Sequence, residues 1–219
     1  MAIPKGKRLL ILGAALVIID QVIKVLVKTQ MSLYEHFSVI GNWFQILFVE
    51  NEGMAFGMAF GGAVGKFLLS LFRICLSGVL IWWIGKLVKR NVGVPAKDPK
   101  HVPTGVLVGL TMITAGAIGN IIDCLFYGLI FSESAAGVVA TFGGHYAPFM
   151  FGKVVDMFYF PIIHTTWPQW MPWIGGTPFT FFDPVFNFAD SCVTVGAIYL
   201  ILFQWRFFMS DSDDKRKKS

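Results

Sequence analysis

Four long apolar segments constrain this chain more than any other feature of its sequence. They cover residues 9–27, 67–85, 102–122 and 185–205. A helix needs about 20 apolar residues to cross the hydrocarbon core of a bilayer, and each segment is close to that length. Only 14% of the residues are charged, whereas about 25% is usual in a soluble domain. The sequence therefore predicts a single membrane domain over residues 1–219, and it excludes a disordered chain or a disulfide-rich secreted module.

Lysine and arginine are distributed unequally between the two ends of these segments. Residues 29–65 contain neither, and residues 123–184 contain only Lys153, whereas both termini and residues 86–100 carry basic clusters. Since cytoplasmic loops of membrane proteins are enriched in Lys and Arg, both termini are expected in the cytoplasm. The segments 28–66 and 123–184 are then the outer loops. The placement of the basic residues behind the net charge of +5 is thus explained by membrane topology, and we expect no nucleic-acid partner.

The two outer loops contain short patterns that are typical of strands. Phe44, Ile46 and Phe48 alternate with Gln45, Leu47 and Val49, and a β-branched and aromatic run covers 154–160. These patterns predict strands, and we expect a small sheet resting on the outer leaflet. The insertion at 131–150 and the stretch 161–184, which is rich in Pro and Trp, are interpreted as loops.

Acidic and amide side chains recur where the third and fourth apolar segments meet the outer side. The third segment is followed by GNIID, and the fourth begins FNFAD. Asn120 and Asp123 are therefore three residues apart, as are Asn187 and Asp190, and each pair would share one face of a helix. Charged groups at membrane depth are energetically expensive, so these positions are candidate functional residues.

Two further polar residues lie at the same outer side, Asp156 in KVVDMF and Asn51 in ENEGMAFG. Two carboxylates held close together in a dry site share one proton. One can then take a proton from water while the other donates a proton to a substrate carbonyl oxygen. The pattern indicates acid–base hydrolysis of an amide, and no spacing of metal ligands accompanies it.

These residues also have simpler structural interpretations. Asp190 at a helix start can act as a cap, and Asp123 at a helix end can be solvated. Asp20 and Lys24, four residues apart, can form a structural ion pair. The two asparagines of the Asn-x-x-Asp pairs can join helices through hydrogen bonds.

Two other functions remain open at this point. Acids in a membrane can form the proton relay of a small transporter, although these acids cluster at one side instead of crossing the bilayer. A non-catalytic chaperone or lipid-binding subunit is the third possibility. The three cysteines, Cys75, Cys124 and Cys192, are interpreted as small buried hydrophobic residues, and a disulfide between Cys124 and Cys192 stays open.

Taken together, the polar motifs resemble those of lipoprotein signal peptidase, or signal peptidase II, of bacterial inner membranes. The resemblance covers nearly the whole chain, and the motifs stand in the same order relative to four spans. The matching segments are DQVIK (20–24), NEGMAFG (51–57), GNIID (119–123), VVDMF (154–158) and FNFADS (186–191).

The resemblance implies an aspartyl endopeptidase that cuts the signal peptide from a prolipoprotein, just before a Cys that carries diacylglycerol. It implies a mainly α-helical membrane fold, with four transmembrane helices, a small β-cradle on the outer face and a short surface helix. It also implies no metal or other cofactor. We expect a monomer in the bacterial inner membrane with its site at the periplasmic face, and lipid-modified prolipoprotein and membrane lipid as its partners.

The same resemblance assigns roles to individual residues. The catalytic pair of the family corresponds to Asp156 and Asp190. The positions that match residues supporting the site or binding substrate are Asp20, Lys24, Asn51, Gly53, Asn120, Asp123 and Asn187.

The chain departs from the family pattern at one position in the GNIID segment. An Arg usually follows the Asp of this motif, and here Cys124 follows Asp123. Arg can hold a carboxylate or a carbonyl through two hydrogen bonds, and Cys cannot. Either another residue supplies this contact, with Lys153 as one candidate, or the substrate is positioned differently. The loops 131–150 and 161–184 also look longer than the common core of the family, and we expect them to be lids or membrane contacts.

Overall fold

Three helices long and apolar enough to cross a membrane form the body of the protein. A computed structural model describes residues 5–52, 62–95, 98, 100–181 and 183–209. Helix α1 is Lys5–Gln30, α2 is Gly62–Arg90 and α3 is Thr104–Ile122. A π-helical turn, Asp123–Tyr127, and the short α4, Gly128–Ile130, extend α3 without a break. The chain is therefore a multi-pass membrane protein.

The fourth predicted span is a shorter apolar helix. Helix α5 runs over Phe188–Phe203, which is 16 residues, and a further helical turn follows at 205–209. At 1.5 Å per residue α5 alone is about 24 Å long, less than the roughly 30 Å of a hydrocarbon core. It begins later than predicted because Val185–Phe186 forms a strand and Asn187 caps the helix. That α5 and the turn after it cross the whole membrane as a fourth span remains a prediction.

The helices extend beyond the predicted apolar segments at the end near the sheet. Helix α1 continues to Gln30 because Lys28 is fully buried and contacts Glu50 and Ser134 instead of ending the helix in water. The third helical run continues to Ile130 through Asp123, whose carboxylate is buried against Lys24. Buried charges that have partners thus allow both helices to continue past the ends of their apolar segments.

Four antiparallel strands form a sheet at the end of the helices where α1 finishes and α2 and α5 begin. Their order is β1-β2-β3-β6, with the bounds β1 (His36–Ile40), β2 (Phe44–Asn51), β3 (Val154–Tyr159) and β6 (Val185–Phe186). The two predicted strands at 44–49 and 154–160 are confirmed as β2 and β3, and they pair with each other.

The stretch 161–184 is not a plain loop as predicted. It contains β4 (Ile163–Thr166) and β5 (Pro178–Phe181), which pair as an antiparallel hairpin. Its Pro and Gly residues fall at the start of β5 and in the connection, where they leave a four-residue ladder free to form. The other predicted loop, 131–150, contains isolated bridges such as Phe131 with Phe142 and is otherwise irregular.

Helix α3 lies at the centre of the bundle, in contact with α1, α2 and α5. Its small residues allow α5 to approach closely. A Cβ atom added at Gly116 would lie 2.3 Å from the carbonyl oxygen of Ala189 and 2.7 Å from a methyl group of Val193. This contact places the first turn of α5, with Asp190, directly against α3.

We predict that Gly116→Ala lowers the melting temperature of the detergent-solubilised protein. The new methyl group meets backbone atoms that cannot rotate away, and such overpacking costs about 1–3 kcal/mol. Gly78→Ala on α2 is the matched control, because no atom lies within 4 Å of its added Cβ. Ala is also the better helix former, so the control should melt at the wild-type temperature or slightly above it. Equal melting of the two variants would contradict the close α3–α5 contact.

Candidate active site

A buried lysine on α1 forms the centre of the polar network near the sheet. The Lys24 ammonium is 3.1 Å from an Asp20 carboxylate oxygen and 2.8 Å from Asp123 Oδ2, and its side chain has no exposed surface. It also donates a hydrogen bond of 2.8 Å to Asn120 Oδ1. Asp20 and Lys24 share a face of α1 because they are four residues apart. The ammonium thereby joins α1 to the end of α3.

Asp20 also reaches the first turn of α5. Its Oδ1 accepts a 2.9 Å hydrogen bond from the backbone N–H of Ala189. In the same turn Asn187 accepts from the Asp190 N–H at 2.8 Å, and Asp190 accepts from the Asn187 N–H. These bonds satisfy helix N-terminal donors that would otherwise be unpaired in a dry environment. Gly119 permits this approach, since a Cβ there would lie 2.5 Å from Asp20 Oδ2.

The orientation of the two asparagine amides follows from their partners. Lys24 can only donate, so the oxygen of Asn120 faces it and the NH₂ group of Asn120 donates to Asp190 at 2.8 Å. The backbone N–H of Asp190 likewise fixes the oxygen of Asn187. The NH₂ group of Asn187 then donates to Asp156 at 2.7 Å and to Asn120 at 3.0 Å. Asp156 and Asp190 are thus connected through two amides.

Strand β3 places Asp156 in this network. Asp156 lies opposite Val49 of β2, and its neighbour Val154 lies opposite Asn51. Since side chains alternate along a strand, Asp156 and Asn51 point to the same face, and Asn51 forms a side-chain hydrogen bond to Asp156. Only 3% of Asp156 is exposed. Burial, followed by the negative charge of Asp190, raises the pKa of Asp156 to about 7.

Asp123 is held by structural partners on both oxygens. Its Oδ1 accepts from the Gln21 side chain at 2.9 Å, and its Oδ2 accepts from Lys24 and, at 3.3 Å, from the Val155 N–H. The interpretation of Asp123 as a solvated helix end is therefore wrong, since the residue is fully buried. It ties α1 and α3 to β3 at the residue before Asp156.

Asp190 is half-buried and faces a cavity of about 250 Å³. The cavity lies on α3, between α2 and α5. Its lining residues are Arg73, Ala117, Asn120, Asp190, Val193 and Thr194. An extended segment of another molecule could reach the Asp190 carboxylate through this opening, whereas Asp156 lies deeper.

The structure brings most of the predicted site residues into one place. These are Asp20, Lys24, Asn51, Asn120, Asp123, Asp156, Asn187 and Asp190. Gly53 lies outside the described residues. Gln21 belongs to the network although it was not predicted. Its side chain donates hydrogen bonds to Asp20 and Asp123 and accepts one from the Tyr127 hydroxyl. Its position inside the DQVIK motif was the available signal.

The cysteines differ from expectation. All three are free, so the open Cys124–Cys192 disulfide is absent. Cys124 and Cys192 are buried as predicted, but Cys75 is exposed on α2, because this face of the helix has no protein neighbour. Within the described part of the chain, no three His, Cys, Asp or Glu side chains are grouped so as to hold a metal ion.

Comparisons with known proteins agree on one family. The family described as "Signal peptidase (SPase) II" matches residues 12–206. A lipoprotein signal peptidase of Porphyromonas gingivalis is 47% identical over 202 residues, which cover 91% of this chain and 84% of that protein. One from Amoebophilus asiaticus is 34% identical over 188 residues, with 85% and 72% covered.

A solved structure supports the same fold. It is described as a bacterial membrane enzyme structure obtained by the in meso method at 2.3 Å resolution. The two folds superpose with a TM-score of 0.56 at 22% sequence identity, over 95% of this chain and 92% of that one. At this identity the likeness concerns the fold alone.

Fold and comparisons together define a membrane-embedded protease. The family match spans most of the sequence, and the identity to named relatives is substantial. The chain belongs to the signal peptidase II family.

We predict that Lys24→Met strongly destabilises the protein. The substitution keeps the length of the side chain but leaves the Asp20 and Asp123 carboxylates buried without their cation, and breaking a buried pair costs about 3–5 kcal/mol. Lys86→Met is the control, because Lys86 is exposed on α2. The melting temperature should fall by many degrees for Lys24→Met alone, and an unchanged value would show that the ammonium is not required.

We predict a pH-dependent stability difference between wild type and Asp156→Asn. The carboxyl ionises near 3.8 in the unfolded chain and near 7 in the folded protein, so the folded state holds the extra proton between these values. Its contribution to stability is complete below pH 4 and is lost as the pH rises through 7. Asn stays neutral, so the variant should gain stability relative to wild type between pH 4 and pH 8. A stability difference between the two proteins that stays constant from pH 4 to pH 8 would contradict this prediction.

Proposed function

We propose that this protein removes the signal peptide from diacylglyceryl-modified prolipoproteins, cutting before the lipidated Cys, with Asp156 and Asp190 as the catalytic pair. One observation carries the proposal. The two carboxylates, one deep and one facing a cavity, are connected through Asn187 and Asn120 in a chain of the signal peptidase II family.

The chemistry needs one ionised and one protonated carboxyl group. The ionised group takes a proton from a water molecule, and the water oxygen forms a bond to the carbonyl carbon of the scissile amide. The protonated group donates its proton to the carbonyl oxygen, which gives a neutral tetrahedral diol. Return of a proton to the amide nitrogen then breaks the C–N bond and releases the lipidated Cys with a free amino group. The pair shares its proton, so neither role belongs to one Asp throughout.

The surroundings of Asp156 support this chemistry. Asp156 is almost completely buried, and the apolar side chains of its strand neighbours Val155 and Met157 are fully buried on the opposite face of β3. A carboxyl group here holds its proton up to a pH of about 7, as its raised pKa shows, while Asp190 accepts N–H bonds from Asn120. One proton shared between two carboxyl groups near neutral pH is the state that the reaction uses.

The cavity supports entry of the substrate from the side of the bundle. Helices α2 and α5 both pack against α3 and make few contacts with each other. A signal peptide anchored by acyl chains could therefore approach Asp190 laterally, without leaving the bilayer. The fully exposed Trp173 on the loop between β4 and β5 supports a position of that loop in the headgroup layer.

The other residues of the network are proposed to support the pair. Lys24, Asp20 and Asp123 fix the backbone around it, while Asn120 and Asn187 hold the carboxylates and Asn51 contacts Asp156. We place the termini in the cytoplasm and the site at the periplasmic face of the inner membrane, because the basic residues at the start of α1 and at the end of α2 lie at the helix ends remote from the sheet. A monomer contains all of these groups.

We predict that Asp156→Asn and Asp190→Asn each abolish cleavage of a diacylated prolipoprotein by the purified protein in detergent. Both substitutions keep the size of the side chain, so the variants should still insert and fold. Asp123→Asn should instead lower the melting temperature and retain measurable cleavage at low temperature, because Asp123 contacts structural groups. Cleavage at the wild-type rate by either of the first two variants would refute the assignment.

A further inference from the structure

Helix α2 carries one cation at a depth where a charge is expensive. Arg73 is the only charged residue between Lys66 and Lys86 in this apolar helix. A guanidinium in such a position is normally paired with an acid or aimed at a polar cavity. Among the described residues, Arg73 forms no ion pair.

The contacts of Arg73 leave most of its donors available. Its Nη1 lies 3.7 Å from the Cys124 sulfur atom, and a thiol is a weak acceptor. A guanidinium has five N–H donors in a rigid plane, and within the described residues the bond to Cys124 engages one of them. The side chain lines the same cavity as Asn120 and Asp190, so its other donors face the space beside the proposed catalytic carboxylate.

Among the described residues that line the cavity, Arg73 carries the only positive charge. Ala117, Val193 and Thr194 complete the wall, and the sequence-based candidate Lys153 is engaged elsewhere. Its ammonium lies 3.8 Å from a Glu50 oxygen and 3.5 Å from a Glu133 oxygen. The uncharged groups of a lipidated peptide that can accept a bidentate donor are carbonyl oxygens.

We propose that Arg73 is a substrate-binding residue whose guanidinium donates hydrogen bonds to a carbonyl oxygen of the lipidated peptide. The proposal rests on the proposed function of the same cavity. It also accounts for Cys124, because the guanidinium of Arg73 reaches from α2 into the space that the side chain at position 124 faces. A larger basic side chain at position 124 would compete for that space.

The first test measures kcat and KM for Arg73→Ala and Arg73→Lys with a diacylated prolipoprotein. Loss of a hydrogen bond from a charged donor should reduce kcat/KM of the Ala variant by about tenfold or more, mainly through KM. Lys should restore part of the loss. Lys86→Ala removes an exposed cation from the same helix and should match wild type. An unchanged KM in the Ala variant, or a loss that follows the melting temperature instead, overturns the proposal.

A second test moves the guanidinium. In the double variant Arg73→Ala with Cys124→Arg, the new side chain starts at the residue whose sulfur atom lies 3.7 Å from the Arg73 guanidinium, beside the volume that the first substitution has emptied. We expect recovery of at least part of the lost kcat/KM. A double variant that melts like wild type and shows no recovery contradicts the proposed position of the guanidinium.

The carbonyl can belong to the peptide or to an ester of the diacylglyceryl group, and a substrate with ether-linked chains separates these sources. If Arg73 binds a peptide carbonyl, Arg73→Ala reduces kcat/KM by the same factor on the ether-linked and the ester-linked substrate. If the ester carbonyl is bound, the loss disappears on the ether substrate. The wild-type protein is assayed alongside the variants. If wild type does not cleave the substrate, the proposed function fails; if wild type cleaves and Arg73→Ala cleaves equally well, only the proposal for Arg73 fails.

Discussion

The buried ammonium of Lys24 is the interaction on which the site depends. It lies between the carboxylates of Asp20 and Asp123 and contacts the amide oxygen of Asn120. In a medium of low dielectric none of these charges could remain alone, because desolvation costs several kcal/mol per ion. Each acid also receives a backbone N–H, from Ala189 on α5 and from Val155 on β3. One cation therefore holds two helices, the start of a third and a strand in a single register.

This arrangement also fixes the orientation of the Asn120 and Asn187 amides. Because Lys24 can only donate, Asn120 must offer its NH₂ group to Asp190, and the N–H at the start of α5 imposes the same orientation on Asn187 towards Asp156. The amides cannot flip without leaving a buried donor facing another donor. The two carboxyl groups differ in burial while they share a continuous hydrogen-bonded path.

Much of the fold and of the site could be predicted from the sequence, and the failures have physical reasons. Apolar length locates α1 to α3 and alternation locates β2 and β3, because both patterns are local. The continuation of the third helix through Asp123 depends on Lys24, almost a hundred residues away, and no local pattern contains that partner. The four-residue ladder of β4 and β5 was hidden by the Pro and Gly residues around it.

The cations near the site show how partners decide the role of a charge. Lys24 and Lys28 are completely buried, and each is neutralised by acids: Asp20 and Asp123 for the first, Glu50 for the second. Such pairs fix one geometry and leave nothing for a ligand. Arg73 differs because its contact is a thiol and its remaining donors face a cavity that also contains Asp190. Among the described residues Arg73 has no acid partner, so a third group can complete its interactions. A substrate carbonyl in the cavity can be that group.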